Sequence, residues 1–123
     1  MAVKLIARAM VIASMMVFPF TANADEVQVP VANKVTMVDL GSKNCIPCKM
    51  MAPVLQSIEK FYGDRAAIVF IDVKENPAEG RKHNIRTIPT QIFYDKQGNE
   101  RERHEGYIDE KAIKAKIDTL MAE

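Results

Sequence analysis

The sequence predicts one α/β domain built on a mixed four-stranded sheet flanked by helices, in the order β-α-β-α-β-β-α. Three observations carry this expectation. Apolar, β-rich runs at 35–40, 66–73 and 90–94 alternate with helix-patterned stretches, and such alternation calls for crossovers and parallel pairing. Asp95-Lys96-Gln97-Gly98-Asn99 separates the third run from a fourth, Glu100–His104, and reads as a hairpin connection that adds an antiparallel edge. The chain is also long enough for one core and too short for two.

The first 24 residues have the layout of a secretory signal peptide. Lys4 and Arg8 form a short basic start, Ala9–Phe18 is an uncharged apolar run, and Ala22-Asn23-Ala24 places small residues where a signal peptidase reads. The run is too short to span a bilayer. Cleavage before Asp25 is expected over an uncleaved anchor, with export, and a bacterial periplasm is the expected destination. It would leave 99 of the 123 residues and lower Lys+Arg from 17 to 15 against 16 Asp+Glu, a net charge of −1. So balanced a chain has no field to draw it to nucleic acid or to an anionic membrane surface. Recognition then falls to a local site, and a monomer is expected.

Residues 25–34, with Pro30, read as an extended, weakly held lead-in. Val35–Leu40 is a mostly apolar run and reads as a buried strand, followed by a loop at 41–44. Met51, Val54, Leu55, Ile58 and Tyr62 then recur at helical spacing, with Pro53 expected to kink the helix and Gly63 to end it. Ala66–Val73 reads as a second buried strand. Asn76-Pro77 looks like an N-cap followed by Pro at the first helical position, opening a short helix that Asn84 closes. Thr90–Tyr94 and Glu100–His104 are the hairpin strands. A final helix carries Ile113, Ile117, Leu120 and Met121 on one stripe, with Asp109 as its cap.

Both cysteines stand in Asn44-Cys45-Ile46-Pro47-Cys48, and three readings compete. A structural clip gains little, because so short a loop yields roughly 2 kcal/mol against about 3 for fifteen residues. A tetrahedral metal site wants four ligands, and neither a second CxxC nor a histidine pair is present; His83 and His104 stand apart and read as solvated. Met50 and Met51 leave a soft Cu(I) site as the remaining metal option. A redox pair needs only what is there. Cys45 lies just before a helix, whose free amides and dipole favour a thiolate, and Cys48 one turn later can resolve a mixed disulfide. Pro47 fits a helix start.

The stretch VDLGSKNCIPCKMMAP resembles the active-site segment of the thioredoxin family, with an acid six residues before the first cysteine and Pro five after the second. NIRTIPT is similar to the segment carrying that family's cis-proline, and Glu75-Asn76-Pro77 and Gly106 also fit. The likeness covers about residues 35–121. It implies a minimal thioredoxin fold over 35–123, with Cys45 as exposed nucleophile and Cys48 as buried resolving thiol. It also implies that Asp39 is a buried carboxyl moving a proton at Cys48, its pKa raised by burial. Pro89 would be cis and face the disulfide, and the Ile88 backbone would pair with an extended substrate. The sequence departs from the family in several places. Asn44 replaces the usual Trp, Ile46-Pro47 replaces Gly-Pro at the docking surface, and Phe70 stands where a lysine is often found near the acid. The family's first strand and helix have no room in 25–34.

These readings make the protein an exported thiol–disulfide oxidoreductase whose active element is the Cys45–Cys48 disulfide, with no further cofactor and no metal. Its partners would be substrate proteins bearing disulfides or dithiols. The lean is towards reduction, since no histidine charge lies between the cysteines and Asp39 disfavours another negative charge nearby. A reductant outside the cytoplasm would draw electrons from a membrane partner. The alternative is a thioredoxin-like binding module or Cu(I) carrier that uses the cysteines as ligands.

Overall fold

The computed structural model describes residues 28–123. The expected signal peptide, and residues 25–27 of the lead-in, lie outside the described residues. The elements are β1 (Val35–Gly41), α1 (Ile46–Tyr62), a 3₁₀ turn (Gly63–Arg65), β2 (Ala66–Asp72), α2 (Pro77–Lys82), β3 (Thr90–Tyr94), β4 (Glu100–Glu105) and α3 (Glu110–Met121). The sheet order is β2-β1-β3-β4, with β1 parallel to β2 and both other pairings antiparallel. This is the expected mixed four-stranded sheet with its three helices.

Side chains alternate across β1, so its two faces enter two cores. Val35 and Met37 point towards α1 and α3 and pack with Met51, Ile58, Tyr62, Phe93, Ile113 and Ile117. Val38 and Leu40 point the other way, with Ile92 and Tyr94, under Val73 and Ile85 beside α2. Removing an Ile- or Met-sized side chain from water contributes roughly 1.5–3 kcal/mol, so the α1 stripe alone anchors that helix. The Tyr62 hydroxyl donates to Asp118 Oδ1 at 2.7 Å and ties α1 to α3. Helix α1 runs unbroken through Pro53 and stops at Gly63, whose φ of +54° is left-handed backbone that glycine adopts without strain. Asp109 caps α3 by accepting from the Ala112 amide.

Four expectations need correction. β2 is an edge strand, not a fully buried one: Phe70 is 42% exposed and most of its neighbours are half-buried. An apolar run looks the same whether one or both of its backbone edges are paired. Residues 28–34 are turned rather than extended and are held. Val29 packs against the α2-side core, the Val31 amide donates to Thr36 Oγ1, and Pro30 lies beside Gly98 of the hairpin. Asn76 precedes α2 but its side chain makes no capping bond, whereas Asn84 does sit in left-handed backbone just past the helix. His83 is buried, with Nδ1 3.3 Å from the Tyr94 hydroxyl and Nε2 3.3 Å from Glu79.

Candidate active site

The site gathers at the end of the sheet where β1 and β2 finish and α1 begins. Cys45 is the N-cap of α1, in extended backbone (φ −97°, ψ 134°), and its sulfur accepts from the Cys48 amide at 3.2 Å. Cys45 and Cys48 form a disulfide, with Cα atoms 5.1 Å apart. Cys45 is partly exposed; Cys48 is buried at 5%. Helix geometry produces this difference. The cap residue projects beyond the first turn, while its partner three positions on faces back onto the sheet. The same free amides and positive helix end would stabilise a thiolate at Cys45 once the disulfide is reduced.

Gly41 makes the close approach possible. A Cβ there would stand 3.3 Å from Cys48 Sγ and 3.4 Å from the Phe70 ring, so even alanine would make one of them give by a few tenths of an ångström. The loop after it is pinned from two sides. The Lys43 amide donates to Asp72 Oδ2, and the Asn44 amide donates to the buried Ser42 hydroxyl. Asp72 also accepts from the amides of Lys74 and Glu75.

Asp39 lies two residues before Gly41, on the same face of β1 and therefore on the side of Cys48. It is fully buried, not a solvated loop carboxylate. Its pKa is raised from 3.8 to about 6 because burial penalises the charge, and the Gln91 hydrogen bond offsets only part of that. Gln91 Nε2 donates to Asp39 Oδ1 at 2.8 Å, while Oδ2 and Gln91 Oε1 have no partner among the described residues. Strand register aligns Phe70, Asp39, Gln91 and His104 in one row across the sheet. The position where the resemblance leads one to look for a lysine thus holds an aromatic ring, and no cation faces Asp39 from β2.

The Ile88–Pro89 peptide is cis. Leu40 pairs with Thr90, which sets Pro89 beside Gly41 and hence beside the cysteines. The loop is tied by Thr90 Oγ1 donating to Thr87 O at 2.7 Å and by the Gly106 amide donating to Pro89 O at 2.7 Å. No hydrogen bond among the described residues uses the Ile88 backbone. Ile46 stands 76% exposed next to half-buried Pro47, so an apolar side chain projects between the two cysteines, with exposed Lys43, Asn44 and Lys49 on either side.

The residues to which the resemblance gives catalytic or substrate-contacting roles are together at this end of the sheet: Cys45, Cys48, Asp39, Ile46, Pro47, Ile88 and Pro89. Sequence reasoning missed Gln91, Gly41 and Asp72. Gln91 carried one usable signal, a polar side chain inside an otherwise apolar strand, but its partner lies 52 positions away. Met51 is fully buried in the core and unavailable to a Cu(I) ion without repacking. Among the described residues, no group of three or more His, Cys, Asp or Glu side chains is arranged to hold a metal ion.

Comparison with known proteins agrees with this geometry. The family model described as Thioredoxin matches residues 17–119, more than half of the chain. Thioredoxins of Staphylococcus aureus strains Mu50 and MW2 are each 41% identical over 64 residues, 52% of this chain and 62% of theirs. The matched segment thus spans under two thirds of those relatives. A crystal structure of chloroplastic thioredoxin z superposes with a TM-score of 0.68 at 26% identity, covering 74% of this chain and 81% of that one. The structure of a malarial protein gives a TM-score of 0.66 at 23% identity, over 72% of this chain and 98% of that chain, a likeness of fold alone.

Proposed function

The chain belongs to the thioredoxin family, and from that premise we propose that it is an exported thiol–disulfide oxidoreductase that reduces disulfides of substrate proteins in a bacterial periplasm. The observation that carries the chemistry is the placement of Cys45 at the cap of α1, with its sulfur on the Cys48 amide and the buried Asp39 on the same side of β1. In the reduced protein the Cys45 thiolate attacks a substrate disulfide, forming a mixed disulfide and releasing one substrate thiolate. Cys48 then gives its proton to Asp39 and attacks Cys45 Sγ, releasing the second substrate thiolate. Two electrons pass to the substrate, and the protein is left with the Cys45–Cys48 disulfide. The exposed Ile46 and Pro47 offer an apolar platform, and the unpaired Ile88 backbone offers strand pairing to an extended substrate segment.

The direction rests on Ile46-Pro47, which places no cation between the cysteines to stabilise the thiolate strongly. A membrane electron donor would regenerate the dithiol, and the export reading rests on the N-terminal layout. Cys45→Ser should abolish insulin reduction, and a variant with full activity would overturn the mechanism. The reduction potential, measured by equilibration against thiol buffers, tests the direction. A value near about −270 mV supports a reductant, and one near about −120 mV makes the protein an oxidant.

A further inference from the structure

Next to the cis Ile88–Pro89 step the surface opens into a groove of about 1090 Å³ that leads away from the disulfide, between α2 and the 84–88 loop. Its floor is apolar, with Val73, Ile85 and Ile88. Its rim is cationic: Lys74, Arg81, Arg86 and Arg103 line it, and among the described residues no Asp or Glu does. Arg103 is engaged by Glu100 and donates to His83 O, and exposed Arg86 stands 3.7 Å from exposed Glu105. Lys74 and Arg81 form no ion pair among the described residues. Positive charge is thus concentrated in one groove of a chain whose overall charge is only +1.

We propose that this groove selects substrates whose disulfide is flanked by an extended, acidic segment. The inference rests on the redox reading of the same site and adds the chemical class of what docks there. Continuity with Ile88 supplies the geometry. A substrate strand pairing with the Ile88 backbone advances about 3.3 Å per residue and carries its neighbouring residues directly into the groove. Alternate side chains then meet the apolar floor and the cationic rim. Carboxylates on the rim-facing side are attracted chiefly by Lys74 and Arg81, which raises association rates more than it slows dissociation.

The test uses the dithiothreitol-reduced protein and three peptides that share one disulfide and differ only in flanking residues: acidic, neutral or basic. Stopped-flow rates at low ionic strength should fall in that order, with acidic over basic by about tenfold, and the spread should collapse near 1 M salt, where screening is nearly complete. In the variant combining Lys74→Glu and Arg81→Glu the order should invert. Equal rates for the three peptides, or an order that survives both charge reversals, overturns the proposal. Fluorescence anisotropy with the same peptides carrying Ser for Cys reads the groove separately from the chemistry. An acidic preference in binding with no peptide reduced would retain the groove and sink the redox reading. Absence of preference in binding and in rate would sink the groove alone.

Discussion

Two aspartates are buried near the same end of the sheet, and the fold treats them oppositely. Asp72 closes β2 and accepts hydrogen bonds from the amides of Lys43, Lys74 and Glu75 at 3.2, 2.8 and 3.1 Å. Asp39 on the neighbouring strand accepts one, from Gln91, and its Oδ2 has no partner among the described residues. Burial pushes both carboxyls up. At Asp72 the amides of Glu75, Lys74 and Lys43 outweigh it and its pKa falls, whereas at Asp39 burial wins and the pKa rises to about 6. The count of donors, rather than depth alone, decides which carboxyl is a fixed anion and which exchanges a proton near neutral pH. Asp72 joins the loop after β1 to the turn after β2. Asp39 is fully buried on the Cys48 side of β1.

The sharpest way to break this contrast is Asp39→Asn, which keeps the shape and removes the proton. Turnover at pH 7 should fall about 100-fold, the scale of a lost general base. Stability should move the other way. An acid whose folded pKa is raised contributes stability that is complete below the unfolded value of 3.8 and lost as pH climbs through about 6. A gap of roughly two units corresponds to about 3 kcal/mol. Urea unfolding at pH 4 and pH 8 should therefore show the native protein losing about 3 kcal/mol more than the variant across that interval. Parallel losses would return Asp39 to an ordinary pKa and remove it from the reaction.

Asp72→Asn tests the other half. A lowered pKa contributes stability above the ordinary carboxylate range and loses it as pH falls, so the variant should be less stable at pH 7 and converge with the native protein in acid. Amide exchange at Lys43, Lys74 and Glu75 should quicken in the variant. Unchanged exchange there would show that these loops hold without the carboxylate. The smallest effect is expected from Gln91→Leu, which removes the only donor to Asp39 among the described residues and moves it further from the Asp72 condition. Its pKa should rise above about 6, by no more than about one unit, and shift the pH dependence of turnover with it. A carboxyl titration followed by NMR reads this directly, and a downward shift would mean that Gln91 does not stabilise the charged form.

The two aspartates also show where sequence reading stops. Asp39 could be singled out because it sits six residues before Cys45 in a recognisable segment, and strand alternation put it on the side of Gly41. Asp72 has no signal of its own inside the run 66–73, since none of the three amides it accepts from is marked by its side chain. Gln91 was passed over because a polar residue in a strand announces neither its face nor its partner. Phe70 reads as part of a buried strand because hydrophobicity does not report that β2 is the last strand of the sheet. His83 reads as solvated in the sequence because its partners, Tyr94 and Glu79, meet it only when α2 folds onto β3.

Local chemistry was legible from the chain alone. The element order, the caps at Cys45 and Asp109, the helix stop at Gly63, the hairpin and the redox pair follow from patterns spanning a few residues, which the backbone reads as it forms. What only the tertiary structure decided is everything set by register between distant strands. The 39–91 pairing, the contact of Gly41 with Cys48 and the meeting of Lys74, Arg81 and Arg103 around one groove are examples. Those depend on which strand lies beside which, and a pattern of local periods carries no information about its neighbours.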